Sequence, residues 1–416
     1  MSNFSWFIAN RIGRVKSKNI SVAFIRVAII AVAISIIVML LSMSILEGFK
    51  QIVREKLSYF SGHITIIKHQ MNYSYEKSPL YKNYSLIEEI KKMPHVKAVE
   101  CFAIKAGLIK TDKNMQGVVL KGIDKDFDWN LFKNNLIEGK PIKPDSIKPS
   151  KNVIISKSLA QMLQLKCNDN LFMYFLGNPP KLRKYKIIGI FSTETPEIDK
   201  TYILVDIHDV QKLNDWNYRE NPQITGYEII LDDYKNINKV YPEIYQKFGL
   251  RFDKNGNKLR IMTINELYPQ IANWLSLLDL NALVMIVIIF IIAAINMITA
   301  LLILILERSH MIGILKALGA KNWHIQKIFL INGANILIKG LIWGNILAFL
   351  IMVIQYKFHI ITLNPEIYYT HYVPLKFTYG YFALLNLAVI LLTLFLLSIV
   401  SFVISRIEPI KVIKFN

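Results

Sequence analysis

Residues 307–330 read ERSHMIGILKALGAKNWHIQKIFL, and they lie between two long apolar runs, 280–306 and roughly 328–355. Such a segment sits at a membrane surface while its neighbours cross. Ile312, Leu315 and Leu318 recur at helical spacing, Lys316 points elsewhere, and Gly319 stands where a C-cap glycine would. The pattern predicts a short helix, a glycine turn and a second helix. Compact amphipathic helices held between spans suit the docking of a cytosolic partner; a plain structural connector is the other reading.

Two further apolar runs, 27–46 and roughly 379–404, bring the expected spans to four. With 53% hydrophobic residues, the composition is that of a membrane protein. Basic residues cluster before span one, between spans two and three (Arg308, Lys316, Lys321, Lys327) and after span four (Arg406, Lys411, Lys414). By the positive-inside rule both termini and the 307–327 loop are cytosolic, and the 356–378 loop and the segment between spans one and two lie outside. Residues 1–18 place Phe4, Phe7, Ile8, Ile12 and Val15 on one helical face, which reads as an interfacial helix. The apolar run that follows is about 20 residues, span length rather than that of a signal peptide, so span one (20–47) is expected to be retained. The spans are bounded at 273–306, 328–355 and 379–405, with a cytosolic tail over 406–416.

The net charge of +20 would suggest nucleic acid in a soluble protein, but half of that excess falls on 48–272, outside the cytosol. Anionic lipid is the expected partner there, and nucleic acid is not. This middle stretch alternates β-rich runs (63–67, 117–123, 152–156, 170–175, 185–191, 201–207, 226–231) with helical patterns (85–93, 156–165, 208–214). It predicts a large α+β domain inserted between spans one and two.

Catalytic chemistry has no signature here. No GxxxxGK[ST], HExxH or GxSxG occurs, and His63, His69 and His95 are scattered. Cys101 and Cys167 form no CxxC, so no metal site is expected of them, and their spacing fits a single extracytoplasmic disulfide or two free buried thiols. Within the spans two features are costly. Lys339 stands near mid-bilayer, where it either contacts a lipid head group or partner helix or snorkels with help from Asn335. Gly340 and Gly344 form a GxxxG, expected to pack against span two or four, with a dimer seam as the other reading.

The segment ExxxxIGILKALGA followed by IxxIFLxxG resembles the FtsX-like family of ABC-transporter permeases, in which this loop is the coupling helix. Residues 152–175, NVIISKSLAQMLQLKCNDNLFMYF, resemble the periplasmic core domain of that family, which usually has Gly where this chain has Asn168 before Asp169. The resemblance narrows at 7–19 (FIANRIGRVKSKN), at Gly48-Phe49 and Gly62-His63-Ile64, at 363–377 (LNPEIYYTHYVPLKF) and at 407–415 (IEPIKVIKF) to LolC/LolE-type lipoprotein-releasing permeases.

That resemblance implies a non-catalytic subunit with no cofactor of its own. ATP and Mg would belong to a cytosolic ATPase dimer docked on Ile312, Leu315, Lys316, Leu318 and Gly319. A second permease copy or paralogue, a lipoprotein substrate, a periplasmic carrier and membrane lipid complete the implied partners. Leu40, Met43, Ile45, Leu46, Leu277 and Leu280, at the outer ends of spans one and two, are expected to line the substrate cavity, ordinary lipid-facing positions being the other reading. The loop FLGNPPKLR, 175–183, joins two strands and is longer than usual for a hairpin. Pro179-Pro180 stiffen its tip, while Phe175, Leu182 and Arg183 offer contacts. In LolC-type permeases a hook at the similar position captures the carrier; an inert hairpin is the alternative. A MacB-type exporter without its fused ATPase, an FtsX-like regulator of wall hydrolases and a membrane-anchored enzyme are the competing functions.

Overall fold

The computed structural model describes residues 20–70, 78–110, 115–145, 149–177, 179–249, 252, 256 and 258–401. The expected interfacial helix at 1–18 lies outside the described residues, as does the tail at 406–416. In chain order the helices are α1 (Ile20–Ser61), α2 (Tyr84–Lys91), α3 (Trp129–Phe132), α4 (Lys157–Leu163), α5 (Pro196–Asp199), α6 (Ile207–Leu213), α7 (Ile237–Ile244), α8 (Ile264–Leu267), α9 (Pro269–Glu307), α10 (Ser309–Ala317), α11 (Asn322–Phe358), α12 (Pro365–Tyr368) and α13 (Tyr379–Ser401). The strands are β1 (Ile64–Lys68), β2 (Leu80–Tyr81), β3 (Val96–Lys110), β4 (Met115–Ile123), β5 (Leu136–Gly139), β6 (Asn152–Ser156), β7 (Asn170–Phe175), β8 (Lys181–Phe191), β9 (Tyr202–Asp206), β10 (Gln223–Ile224), β11 (Gly226–Leu231) and β12 (Leu259–Thr263).

Two compact units divide the chain. One comprises Met1–Phe49, Leu275–Thr362 and Tyr372–Asn416; the other comprises Lys50–Trp274 with Leu363–His371. Among the described residues four helices, α1, α9, α11 and α13, are long and apolar enough to cross a membrane.

In the first unit, α1 buries Ala28, Val32, Ile36 and Leu40 at four-residue spacing and turns Val27, Ile30, Ile34 and Val38 outward. That is a single inward stripe on a helix that is apolar all round. The stripe meets α11, where a Cβ on Gly340 would come within 2.6 Å of Val32 and one on Gly344 within 2.8 Å of Ile36. The GxxxG therefore seats span one, not span two or four, because only a side-chain-free ridge leaves room for the β-branched Val32 and Ile36. The contribution of α9 to this core comes from its second half: Met297, Ala300, Leu301, Leu304 and Ile305 are buried, whereas nothing from Ser276 to Asn296 is.

The second unit is built on a sheet of ten strands among the described residues, ordered β12-β1-β11-β3-β4-β9-β6-β8-β5, with β7 pairing β3 and β8. Pairs β4/β9 and β6/β8 are parallel and the rest antiparallel. Helices are started by short polar caps: Asn83 accepts from Ser85 N and Leu86 N, Ser156 from Leu159 N, and Asp206 from His208 N. At the turn before β7, Asn168 has φ +76 and Asp169 accepts from Lys166 N at 2.8 Å. Asparagine tolerates the left-handed conformation, so the turn forms with Asn168 where the resemblance led to an expected glycine. The alternation of β3 sends Cys101 and Ala103 to one face and Phe102 and Ile104 to the other. Helix α6 packs on the Cys101 face: a Cβ on Gly122, paired with Ala103, would press on Ile207 and Val210. Cys101 and Cys167 are both free thiols.

Candidate functional site

The 307–330 segment folds as two helices around one turn. The backbone leaves α9 at Arg308, α10 runs for nine residues, and Leu318 is its C-cap. Gly319 adopts φ +86; its N–H donates to Lys316 O at 3.0 Å, and Ala320 N donates to Leu315 O at 2.9 Å. These are the two hydrogen bonds of a Schellman turn, so the position demands glycine. On this scaffold the apolar residues part company. Ile312 is 0% exposed and packs in the helix core, where Leu304, Ile325 and Phe329 are also buried. It is a residue of the interior, not of a docking ridge, because α10 buries Ile312 and Gly313 and so gives one face to its own attachment. Leu315 and Lys316 are half-buried, and Leu318 is 79% exposed. Two exposed neighbours escaped the sequence reading, Ile314 and Trp323. The surface on offer is thus Ile314, Leu318 and Trp323, with Leu315 and Lys316 at its edge and Gly319 as its hinge.

The six leucine, isoleucine and methionine positions of the expected substrate cavity do not share one environment. Leu40 is 1% exposed and belongs to the bundle core, and Leu46 is also buried, so neither is a wall residue of an open cavity in this conformation. Met43 is half-buried against that core. Ile45, Leu277 and Leu280 are exposed. Lys339 is exposed on α11, as is Asn335 one turn before it.

In the hairpin, β7 and β8 stay paired as far as Phe175 and Lys181, which shortens the connection to 176–180. Phe175 is 2% exposed and would abut a Cβ on Gly107 of β3, so it anchors the hairpin from beneath instead of presenting a contact. Lys181 is held by Asp215 at 2.7 Å. The exposed face carries Leu182 opposite Tyr174, with Phe172 opposite Lys184, and Leu176 at the tip. Pro179 and Pro180 are exposed and Arg183 is half-buried. Period-2 alternation along NLFMYF held this information, since its first aromatic, Phe172, and Tyr174 fall on the face opposite Phe175.

The model of the MacB-like periplasmic core domain matches residues 27–246, and that of the FtsX-like permease C-terminal part matches 283–409. The chain belongs to this permease family. It is similar to the lipoprotein-releasing system transmembrane protein LolC of Xylella fastidiosa, 21% identical over 97% of both chains. LolC of Buchnera aphidicola subsp. Schizaphis graminum is 25% identical, covering 82% of this chain and 81% of the relative. The lipoprotein-releasing system transmembrane protein LolE of Haemophilus influenzae is 21% identical over 89% and 90%. In this FtsX-like architecture the chain is an ABC-transporter permease, a multi-pass membrane protein whose inserted α+β domain follows its first span.

Proposed function

We propose that this permease is the membrane subunit of an ATP-driven transporter that extracts lipoproteins from the outer leaflet of the inner membrane and hands them to a periplasmic carrier. The observation that carries the reading is the end-to-end likeness to LolC, which runs through spans, inserted domain and outer loop alike. The chain itself would be non-catalytic. A separate cytosolic ATPase would bind Ile314, Leu318 and Trp323, and both termini and the 307–327 loop would be cytosolic. The inserted domain over 48–272 and the 356–378 loop would face the periplasm. Ile45, Leu277 and Leu280, exposed in a single chain, suit a cavity closed by a second copy or a paralogue. Phe172, Tyr174, Leu176 and Leu182 form the hairpin face offered to the carrier, preshaped by Pro179-Pro180 and so cheap to order on binding.

Proteoliposomes containing the full chain, an ABC ATPase that co-purifies with it and a triacylated lipoprotein test this reading. ATP-dependent appearance of the lipoprotein on a soluble carrier is expected, and it should disappear when Gly177–Lys181 is replaced by a two-residue Asn-Gly turn, with ATPase assembly intact. Lipoprotein that stays in the bilayer with the wild-type chain, under conditions where ATP is hydrolysed, would sink the proposal.

A further inference from the structure

On the sheet face opposite α6, a cavity of about 550 Å³ is lined in part by Phe60, Ile67, Phe102, Ile104, Tyr202 and Met262 and otherwise largely by polar side chains, a size within the usual range for small-molecule sites. Its lining includes the last turn of α1 (Phe60, Ser61) and the segment entering α9 (Leu267, Tyr268, Pro269), the parts of this unit that continue in sequence into the first two spans. A second hollow of about 340 Å³, lined by Ala106, Leu108, Gly117, Val119 and the hairpin's Leu176, continues along the same strands. Thr201 borders both hollows. From Phe102 to Leu108 the floor runs along β3 for roughly 20 Å, at ~3.4 Å per residue.

Several of the polar groups on these walls are engaged with one another. Lys121 Nζ donates to both carboxylate oxygens of Glu228, at 2.9 and 2.8 Å, and to Phe60 O. Ser61 Oγ pairs with Tyr268 OH at 2.7 Å, Thr65 Oγ1 donates to Ser61 O, and Thr225 Oγ1 accepts from Ile104 N. The lining cations Lys68, Lys121 and Arg260 are matched in number by Glu197, Glu228 and Glu266. With the lining charges balanced, an ionic head group gains no net field from these walls, whereas an alkyl chain finds the side chains of Ile67, Phe102, Ile104 and Met262. A hollow that sets an apolar stretch of β3 and its neighbours among charge-balanced polar groups suits an unbranched aliphatic chain.

We propose that this cavity takes one acyl chain of the transported lipid anchor after it leaves the bilayer. The assignment of the chain to a lipoprotein rests on the function proposed above; the aliphatic chemistry rests on the cavity. The test uses the full chain in nanodiscs with a triacylated lipopeptide carrying a diazirine at the end of one palmitoyl chain, and in parallel a phosphatidylcholine bearing the same chain. After illumination, lipopeptide adducts are expected on the β3 and β9 peptides that contain Ile104 and Tyr202. They should fall by about tenfold in Ile104→Trp, which fills the cavity, and in Ile67→Asp, which charges it. Adducts on these strands from the phospholipid alone would overturn the lipid-anchor assignment while leaving an acyl-chain site. Adducts confined to the apolar helices with both probes would overturn the site itself. Sheet adducts without ATP-dependent lipoprotein release would count against the transport function and not against the cavity.

Discussion

Asn345 of α11 and Asn386 of α13 exchange amide hydrogen bonds: Asn345 Nδ2 donates to Asn386 Oδ1 at 2.7 Å, and Asn386 Nδ2 donates to Asn345 Oδ1 at 3.0 Å. Their remaining N–H groups bond Leu341 O and Phe382 O, each one turn back on its own helix. The pair thus closes on itself within two apolar spans and fixes their register. Asn345→Leu should destabilise the bundle by about 1 kcal/mol, and Asn386→Leu by a similar amount. The double variant should recover part of the loss, because no half-satisfied amide is left. Detergent unfolding curves in a double-mutant cycle would measure the coupling; strict additivity would show that the two amides do not support one another.

Lys121 and Glu228 are the corresponding pair in the inserted domain, both buried, with the Lys121 ammonium also 4.3 Å from the Phe60 ring centre. Burial raises the Glu228 pKa, and Lys121 opposes that rise. Lys121→Ala would leave a carboxylate in the interior and the Phe60 carbonyl without its donor, at a cost of about 3–5 kcal/mol. Lys121→Met with Glu228→Leu should restore most of that stability. Thermal unfolding of the two variants side by side decides it: a double variant as weak as the single one would mean that the Phe60 carbonyl bond, not charge, dominates.

Two buried groups give the domain opposite pH slopes. His63 accepts Leu231 N–H on Nδ1, and burial lowers its pKa to about 4. Its neutral form is favoured by folding, so its contribution is whole above the unfolded value of about 6.5 and drains away as pH falls towards 4. Glu100 accepts Asp128 N–H, and burial raises its pKa to about 7, helped by the charge of Glu228. Its protonated form is favoured, so stability is lost as pH rises from the unfolded value through 7. Glu100→Gln keeps the acceptor without the charge. It should stabilise the chain by about 1–3 kcal/mol at pH 8 and by little at pH 4. Equal gains at both pH values would exclude ionisation as the cause.

What the sequence disclosed and what it withheld follow from how local each signal is. Runs rich in β-branched residues, such as NVIIS and GYEIIL, announced β6 and β11, and Gly319 announced its turn. Strand β3 did not announce itself, although it is the 15-residue member on which β4, β7 and β11 all pair. Its Ala98, Ala103, Ala106 and Gly107 have low strand propensity and are set there by tertiary neighbours. Side-chain direction was the other loss. A spacing of three or four marks a helical face but not which face turns inward, so Ile312 and Phe175 read as contacts when they are anchors. The Asn345–Asn386 pair, 41 residues apart, has no one-dimensional signal at all.

The anchor reading of Ile312 gives the sharpest test of the cytosolic loop. A docking surface and its support should fail differently. Leu318→Asp places a charge on a side chain that is 79% exposed, so folding is expected to be unchanged within about 0.5 kcal/mol, while a partner's groove would have to desolvate that carboxylate. Co-purification of the ATPase should therefore be lost, with insertion and thermal stability kept; Trp323→Asp should behave alike. Ile312→Asp buries the same charge in the bundle, and should cost several kcal/mol and reduce the amount of folded chain in the membrane. Blue-native gels with a melting curve separate the outcomes. If Leu318→Asp retained stoichiometric ATPase, the exposed Ile314, Leu318 and Trp323 surface would not be the coupling site.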